Sequence, residues 1–205
     1  MIKVVVWNEY AHEKIDEKVR EVYPDGIHKA IADFLGKNED IEVTTATLDD
    51  ENCGITDELL ANTDVMIWWG HIRHGEVPDE IAIKVKEAVI RGMGMIFLHS
   101  AHHSKPFKLL MGTSCNLGWR ESNDKERLWV LDHNHPIMAG IEDNVPLIAQ
   151  SFIEPIVKLK RETFRSATSH LNSNEMLIAL SSSAVVNPQA STALDTIIRL
   201  RGCEL

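Results

Sequence analysis

Three short runs that are apolar apart from Lys3 and Asp64 near their starts, separated by stretches of helical character, constrain this chain more than any other feature. Ile2 to Trp7 is the first, Asp64-Val65-Met66-Ile67-Trp68-Trp69 the second and Met95-Ile96-Phe97-Leu98 the last. A strand with one wet face alternates apolar and polar residues, whereas a run apolar on both faces must be covered from both sides. The intervening segments supply that cover. A helical stretch runs from about His12 to Leu35 and is closed by Gly36. Another starts at Pro78, with Asp79 and Glu80 at the positive end of its dipole, and runs to about Arg91, where Gly92 and Gly94 end it. A third covers Ser104 to Met111. Ile41 to Thr47 is β-branched and alternating, which suits a strand nearer the sheet edge. This order predicts an α/β, doubly wound fold with a mostly parallel central sheet. Further along, Arg127 to Leu131 and Met176 to Leu180 read as strands, and Gln189 to Leu200 as a closing helix.

Charge narrows the partners. Lys and Arg number 21 against 31 Asp and Glu, a formal charge of −10, which repels phosphate backbones and anionic membranes. A small molecule is the expected partner, with no nucleic acid and no membrane. No apolar run approaches the roughly 18 to 20 residues of a membrane span, and the first residues lack the apolar stretch of a signal peptide, so the expected location is cytoplasmic. Cys53, Cys115 and Cys203 are widely spaced and odd in number, which favours free thiols over a disulfide framework. The 205 residues fit one domain. Composition nevertheless changes near residue 150, since no glycine occurs between Gly140 and Gly202 although tight turns normally want several.

Ligands of open α/β sheets bind beyond the carboxyl ends of the strands. Past the first apolar run lie Asn8, Glu9, Tyr10, His12 and Glu13; past the second, Gly70, His71, Arg73 and His74; past the last, His99, Ser100, His102 and His103. Six histidines at strand ends are the strongest functional signal, because imidazole is both a metal ligand and an acid or base near neutral pH. One reading is a mononuclear divalent metal site, zinc for example, using two or three of these rings with Glu9 or Glu13 as ligand or base. The other is a rim of hydrogen-bonded histidines, since no tight ligand spacing is present. His28 falls inside the first helical stretch and reads as structural, while His133 and His135 belong to a loop that either joins the site or does not. Ser100 stands at a strand-to-helix elbow but outside a Gly-x-Ser-x-Gly frame, so it reads as binding or capping, with a nucleophile as the alternative. Trp68 and Trp69 read as core and rim packing, one of them open to stacking on a sugar face. Lys105 and Lys108 either meet an anionic substrate or are solvated.

The same residues resemble the trehalose-utilisation, or ThuA-like, family, a branch of the class I glutamine amidotransferase-like fold. The likeness is carried by Val6-Trp7-Asn8-Glu9 with His12-Glu13, Tyr23-Pro24 with Gly26-Ile27-His28, Trp68-Trp69-Gly70-His71, Leu98-His99-Ser100 with His102, Ser104-Lys105, Leu110-Met111-Gly112-Thr113, Trp119-Arg120-Glu121 and His135-Pro136-Ile137. It spans about the first 140 residues. The resemblance implies a flavodoxin-like sandwich and a role in bacterial carbohydrate metabolism, on trehalose or a related disaccharide or keto-sugar. It implies that His71, His99 and His102 are the rim histidines of the family, and that Ser100 stands where glutamine amidotransferases carry cysteine. Within a single ThuA-like domain over 1–205, residues 1–146 form the well-matched core. Residues 147–205 read as a shortened and divergent C-terminal part, in which Glu154-Pro155 remains of an acidic loop and Ser181-Ser182-Ser183 replaces a Pro-Gly-His-Glu motif.

The expectation is therefore a sugar-directed protein in which His71, His99 and His102 bind a metal or the substrate, and Glu9, Glu13 and Ser100 serve catalysis, either glutamate as acid or base and Ser100 orienting the substrate. Asn8, Trp69, His102 and Lys105 would then hold the substrate. Its rival is a non-catalytic sugar-binding or scaffold domain that has lost part of the site; a serine hydrolase is the third reading. Apolar surface left uncovered by the shortened C-terminal part would favour a homodimer.

Overall fold

In a computed structural model of the chain, residues 1–116 are described, except that only the backbone is described at 99 and 100. Beyond them the backbone is described for the strands at 118–121, 125–129, 144–148, 151–154, 178–180 and 183–186. The apolar runs become strands β1 (Ile2–Asn8), β3 (Val65–Trp69) and β4 (Gly94–Leu98), and the alternating segment becomes β2 (Ile41–Thr47). These four are parallel in the order β2-β1-β3-β4, which places β2 at the edge and β3 in the middle. The fold is thus the expected flavodoxin-like α/β sandwich.

Period-two alternation sorts the strand residues onto two faces. Val5, Trp7, Met66, Trp68, Met95 and Phe97 meet Leu60 of α4 (Asp57–Ala61), Ile81, Val85 and Val89 of α5 (Asp79–Arg91), and Phe107 and Met111 of α6 (Lys105–Met111). On the opposite face Val4, Val6, Val65, Ile67 and Ile96 meet Leu35, with Ile31 and Phe34, of α3 (Ile27–Leu35). Trp7 and Trp68 stack with centroids 3.7 Å apart, and the Trp7 indole donates to the Cys53 carbonyl at 2.8 Å. Helix α5 begins just past Pro78 and stops at Gly92, whose φ of 126° suits glycine. Helix α6 is capped by Ser104 and stops at Gly112 in the left-handed region.

The single helical stretch expected over His12 to Leu35 is three helices, α1 (His12–Ile15), α2 (Glu17–Val22) and α3. Asp16 leaves helical geometry and caps α2 by accepting from the Lys18 amide. Pro24 and Gly26 then prevent continuation, Gly26 holding φ at 92° where an added Cβ would meet the His28 ring at 2.5 Å.

The segment expected as a strand at Arg127 to Leu131 is β6 (Lys125–Trp129), paired antiparallel with β7 (Asn144–Ile148). The segment at Met176 to Leu180 is β9 (Ile178–Leu180). It pairs with β10 (Ser183–Val186), and β10 pairs antiparallel with β4, giving a six-stranded sheet β2-β1-β3-β4-β10-β9. A further antiparallel pair joins β5 (Gly118–Glu121) to β8 (Ser151–Glu154). Helix Gln189 to Leu200, His133, His135 and Cys203 lie outside the described residues. Among the described residues no helix is long and apolar enough to cross a membrane.

Candidate functional site

The parallel register levels the strand ends. Asn8 pairs with Thr47 on one side and Trp69 on the other, and Trp69 pairs with Leu98, so the residues that follow β1, β3 and β4 emerge side by side.

Glu9, 2% exposed, ties two of these exits together. Its amide donates to the Trp69 carbonyl at 3.1 Å; Oε1 accepts from the Ile72 amide at 2.8 Å and Oε2 from the Arg73 amide at 3.0 Å. Both carboxylate oxygens are therefore committed to the loop that bears His71 and His74. Arg73 closes the frame by donating to the Glu9 carbonyl, to Asp49 at the end of β2, and through two nitrogens to Glu76. Lys14 donates to the other Asp49 oxygen at 2.6 Å, which with Arg73 holds that carboxyl below the usual carboxylate range. The sequence placed Arg73 at the rim without a role and did not single out Asp49 or Glu76 as site residues. Arg73 and Asp49 both follow a strand end closely, which is the signal they offer.

Asn8 is fully buried and so supports the rim from below. Its Oδ1 accepts from the Tyr10 amide at 2.9 Å, which fixes the amide orientation; Nδ2 is 2.7 Å from Glu13 Oε1 and 3.0 Å from His28 Nδ1. The Ile27 amide also donates to Glu13 Oε1. Glu13 is 3% exposed, and its Oε2 is enclosed with no hydrogen-bond partner among the described residues. Tyr10 pays for this crossing with a left-handed φ of 49°, its ring edge-on to His28. His28, expected to be structural, belongs to this network; burial pushes its pKa below the ordinary imidazole value, opposed by Glu13 and Asp50.

The imidazoles string out along the rim. His12 stacks on His71 with centroids 4.6 Å apart, His74 lies 6.1 Å from His103, and His103 lies 4.2 Å from His102. Glu9 Oε1 is 4.0 Å from His12 Nδ1 and also favours protonation of His74. Burial dominates at His74 and His103 and lowers both, helped by Lys108. Gly70 makes room for the His74 ring, since a Cβ there would sit 3.2 Å from its Nδ1. His71 thus lies against His12, and His102 against His103. His99 and Ser100 begin the 3-10 turn His99–His103, and their side chains lie outside the described residues. Trp69 is half-buried at the end of β3. Lys105 donates to Asp79 at 2.6 Å. Among the described residues no group of three His, Cys, Asp or Glu side chains is arranged to hold a metal ion. Chemically, the rim offers several rings that are both donors and acceptors, with two buried carboxylates beneath them.

Two family models match the chain. The model described as trehalose utilisation covers residues 3–155, and that of the C-terminal part of a domain of unknown function, DUF1846, covers residues 135–205. Among curated proteins, a UPF0371 protein of Clostridium botulinum (strain Eklund 17B / Type B) is 43% identical over 67 residues, 33% of this chain and 13% of that protein. A UPF0371 protein of Corynebacterium efficiens is 43% identical over 68 residues, 33% of this chain and 14% of its own length. One of Clostridioides difficile is 40% identical over 67 residues, with shares of 33% and 13%. The chain thus spans no more than about a seventh of the length of these relatives. With a match that takes in all four parallel strands and every histidine of the rim, the chain belongs to the trehalose-utilisation (ThuA) family.

Proposed function

We propose that the chain binds a sugar, trehalose or a related disaccharide or keto-sugar, along the histidine rim and performs acid–base chemistry on it in the cytoplasm. The observation that carries this reading is the run of five imidazoles, His12, His71, His74, His103 and His102, across the ends of three adjacent strands. A neutral imidazole has one donor and one acceptor nitrogen, the same complement a sugar hydroxyl presents. Burial keeps His74 and His103 unprotonated near neutral pH, where such rings also serve as bases.

Glu9 is the positioning carboxylate, because both of its oxygens hold the His71 loop. Glu13 keeps one oxygen without a partner among the described residues and is the better acid or base. That oxygen is enclosed, so it acts on a ligand only after α1, the short helix that carries it, shifts. Trp69 offers a ring for stacking on the sugar, while Ser100 and Lys105 flank the ligand. The metal reading assigns zinc to His71, His99 and His102. No step of this proposal runs through a metal.

Calorimetry with a panel of disaccharides tests the proposal, using the wild type, His71→Ala and Trp69→Ala. Binding that falls about ten-fold or more in both variants supports it. Binding without turnover of any sugar selects the non-catalytic alternative, and absence of sugar binding rejects the reading. Metal analysis of the same samples decides the zinc assignment: metal retained by wild type and lost from His71→Ala supports it.

A further inference from the structure

We propose that the end of the rim beside α6 is a subsite for an anionic group, a carboxylate or a phosphate, carried by the sugar. This rests on the sugar-binding reading and refines its substrate class.

The cations around the rim are mostly neutralised where they stand. Lys14 is paired with Asp49, Arg73 with Asp49 and Glu76, and Lys105 with Asp79. Lys108 differs. It is half-buried in α6, one turn past the capping residue Ser104, and makes no ion pair among the described residues. Its ammonium bears on His74, His103 and the buried Cys115 thiol, disfavouring protonation of both rings. Beside it, His74 and His103 lie 6.1 Å apart and His103 and His102 4.2 Å apart, and His74 Nε2 is enclosed with no partner among the described residues.

This corner therefore gathers ring nitrogens able to donate around one positive charge that no described residue compensates. A neutral hydroxyl is satisfied by the rings alone, and holding Lys108 half-buried without a carboxylate would gain it little. An anionic oxygen uses both, through charge-assisted hydrogen bonds roughly twice as strong as neutral ones. The carboxylate bearing on His74 is that of Glu9, whose oxygens are already occupied by the Ile72 and Arg73 amides. The formal charge of −10 makes the long-range field repulsive, so selection of an anion must be local, at a site such as this.

The experiment is titration of the full-length wild type and Lys108→Gln with glucose, gluconate, glucose 6-phosphate and inorganic phosphate, each at low and high salt. The expected result is at least about ten-fold tighter binding of one charged sugar than of glucose, lost in Lys108→Gln, restored in Lys108→Arg and weakened by salt. Glucose binding should be unchanged by the substitution. Whether gluconate or the phosphate ester shows the preference tells the two anions apart. Equal affinity for neutral and charged sugars, or a preference indifferent to Lys108, overturns the subsite and leaves the sugar reading standing. Inorganic phosphate bound through Lys108, with no sugar bound here or in the disaccharide panel, overturns the sugar reading and keeps the anion site. Binding of none of the four overturns the subsite, and the sugar reading then stands or falls with the disaccharide panel.

Discussion

Glu9 and Glu13 are four residues apart and both buried, yet their surroundings give them different tasks. The distinction lies in which oxygens are occupied, and no spacing in the sequence reports that. Position past a strand end was legible; role was not. Asn8 makes the point more sharply. Because Oδ1 accepts from the Tyr10 amide, both hydrogens of Nδ2 point to acceptors, Glu13 Oε1 and His28 Nδ1. His28 is thereby held neutral with its proton on Nε2, and a proton added at Nδ1 would face a donor. Burial lowers the folded-state pKa of His28, as it does those of His74 and His103. The unfolded chain therefore takes up protons first as pH falls, and stability is fully present above the ordinary imidazole pKa of about 6.5 and declines below it. Urea denaturation at a series of pH values should show this decline, with a shallower slope in His28→Gln. Identical slopes would mean that the Asn8 network does not hold the ring neutral.

At the level of elements, apolar continuity identified β1, β3 and β4 because a strand covered on both faces carries polar residues only near its ends, as β1 does at Lys3 and Asn8. Helix α5 was legible for a similar reason, with proline before its start and glycine at its end. The broken helix over His12 to Leu35 was misjudged because periodicity was carried through Asp16 and through Pro24-Asp25-Gly26, both of which are stop signals in their own right. The turn Asn52-Cys53-Gly54 could not be anticipated: all three residues are left-handed, held by the Trp7 indole on the Cys53 carbonyl and by the Cys53 amide on Asp50. The doublet Trp68-Trp69 shows how period two separates neighbours. Trp68 is 1% exposed and stacked on Trp7, whereas Trp69 is half-buried at the strand's end. Trp68→Ala should cost about 3–5 kcal/mol of stability, as deletion of a buried aromatic ring does, and Trp69→Ala distinctly less. Denaturant melts of the two variants compare them directly; equal losses would mean that Trp69 is core and unavailable to a ligand.

Across the whole molecule, the sheet joins segments with different affinities. Its four parallel strands come from residues matched by the trehalose-utilisation model, whereas β9 and β10 come from residues matched by the DUF1846 model. The change of composition near residue 150 was visible in the sequence. The strand at Ser183–Val186 was not, because a run of three serines marks no strand and its pairing is set by a distant edge. That edge belongs to β4, the strand that leads into His99–His103, so closing it protects the backbone beneath the histidine rim. Val185 lies between Ile96 of β4 and Ile178 of β9, where its amide must serve one ladder or the other. Val185→Pro removes that donor from an interior strand, a position proline does not tolerate. The expected outcome is a lower melting temperature and concentration-dependent association on size-exclusion chromatography, as the freed edge of β4 pairs between molecules. Sugar binding should weaken in the same variant, because the turn bearing His102 and His103 follows β4 directly. An unchanged melt together with monomeric elution would show that the parallel sheet stands without its antiparallel extension, and that the site depends on the ThuA segment alone.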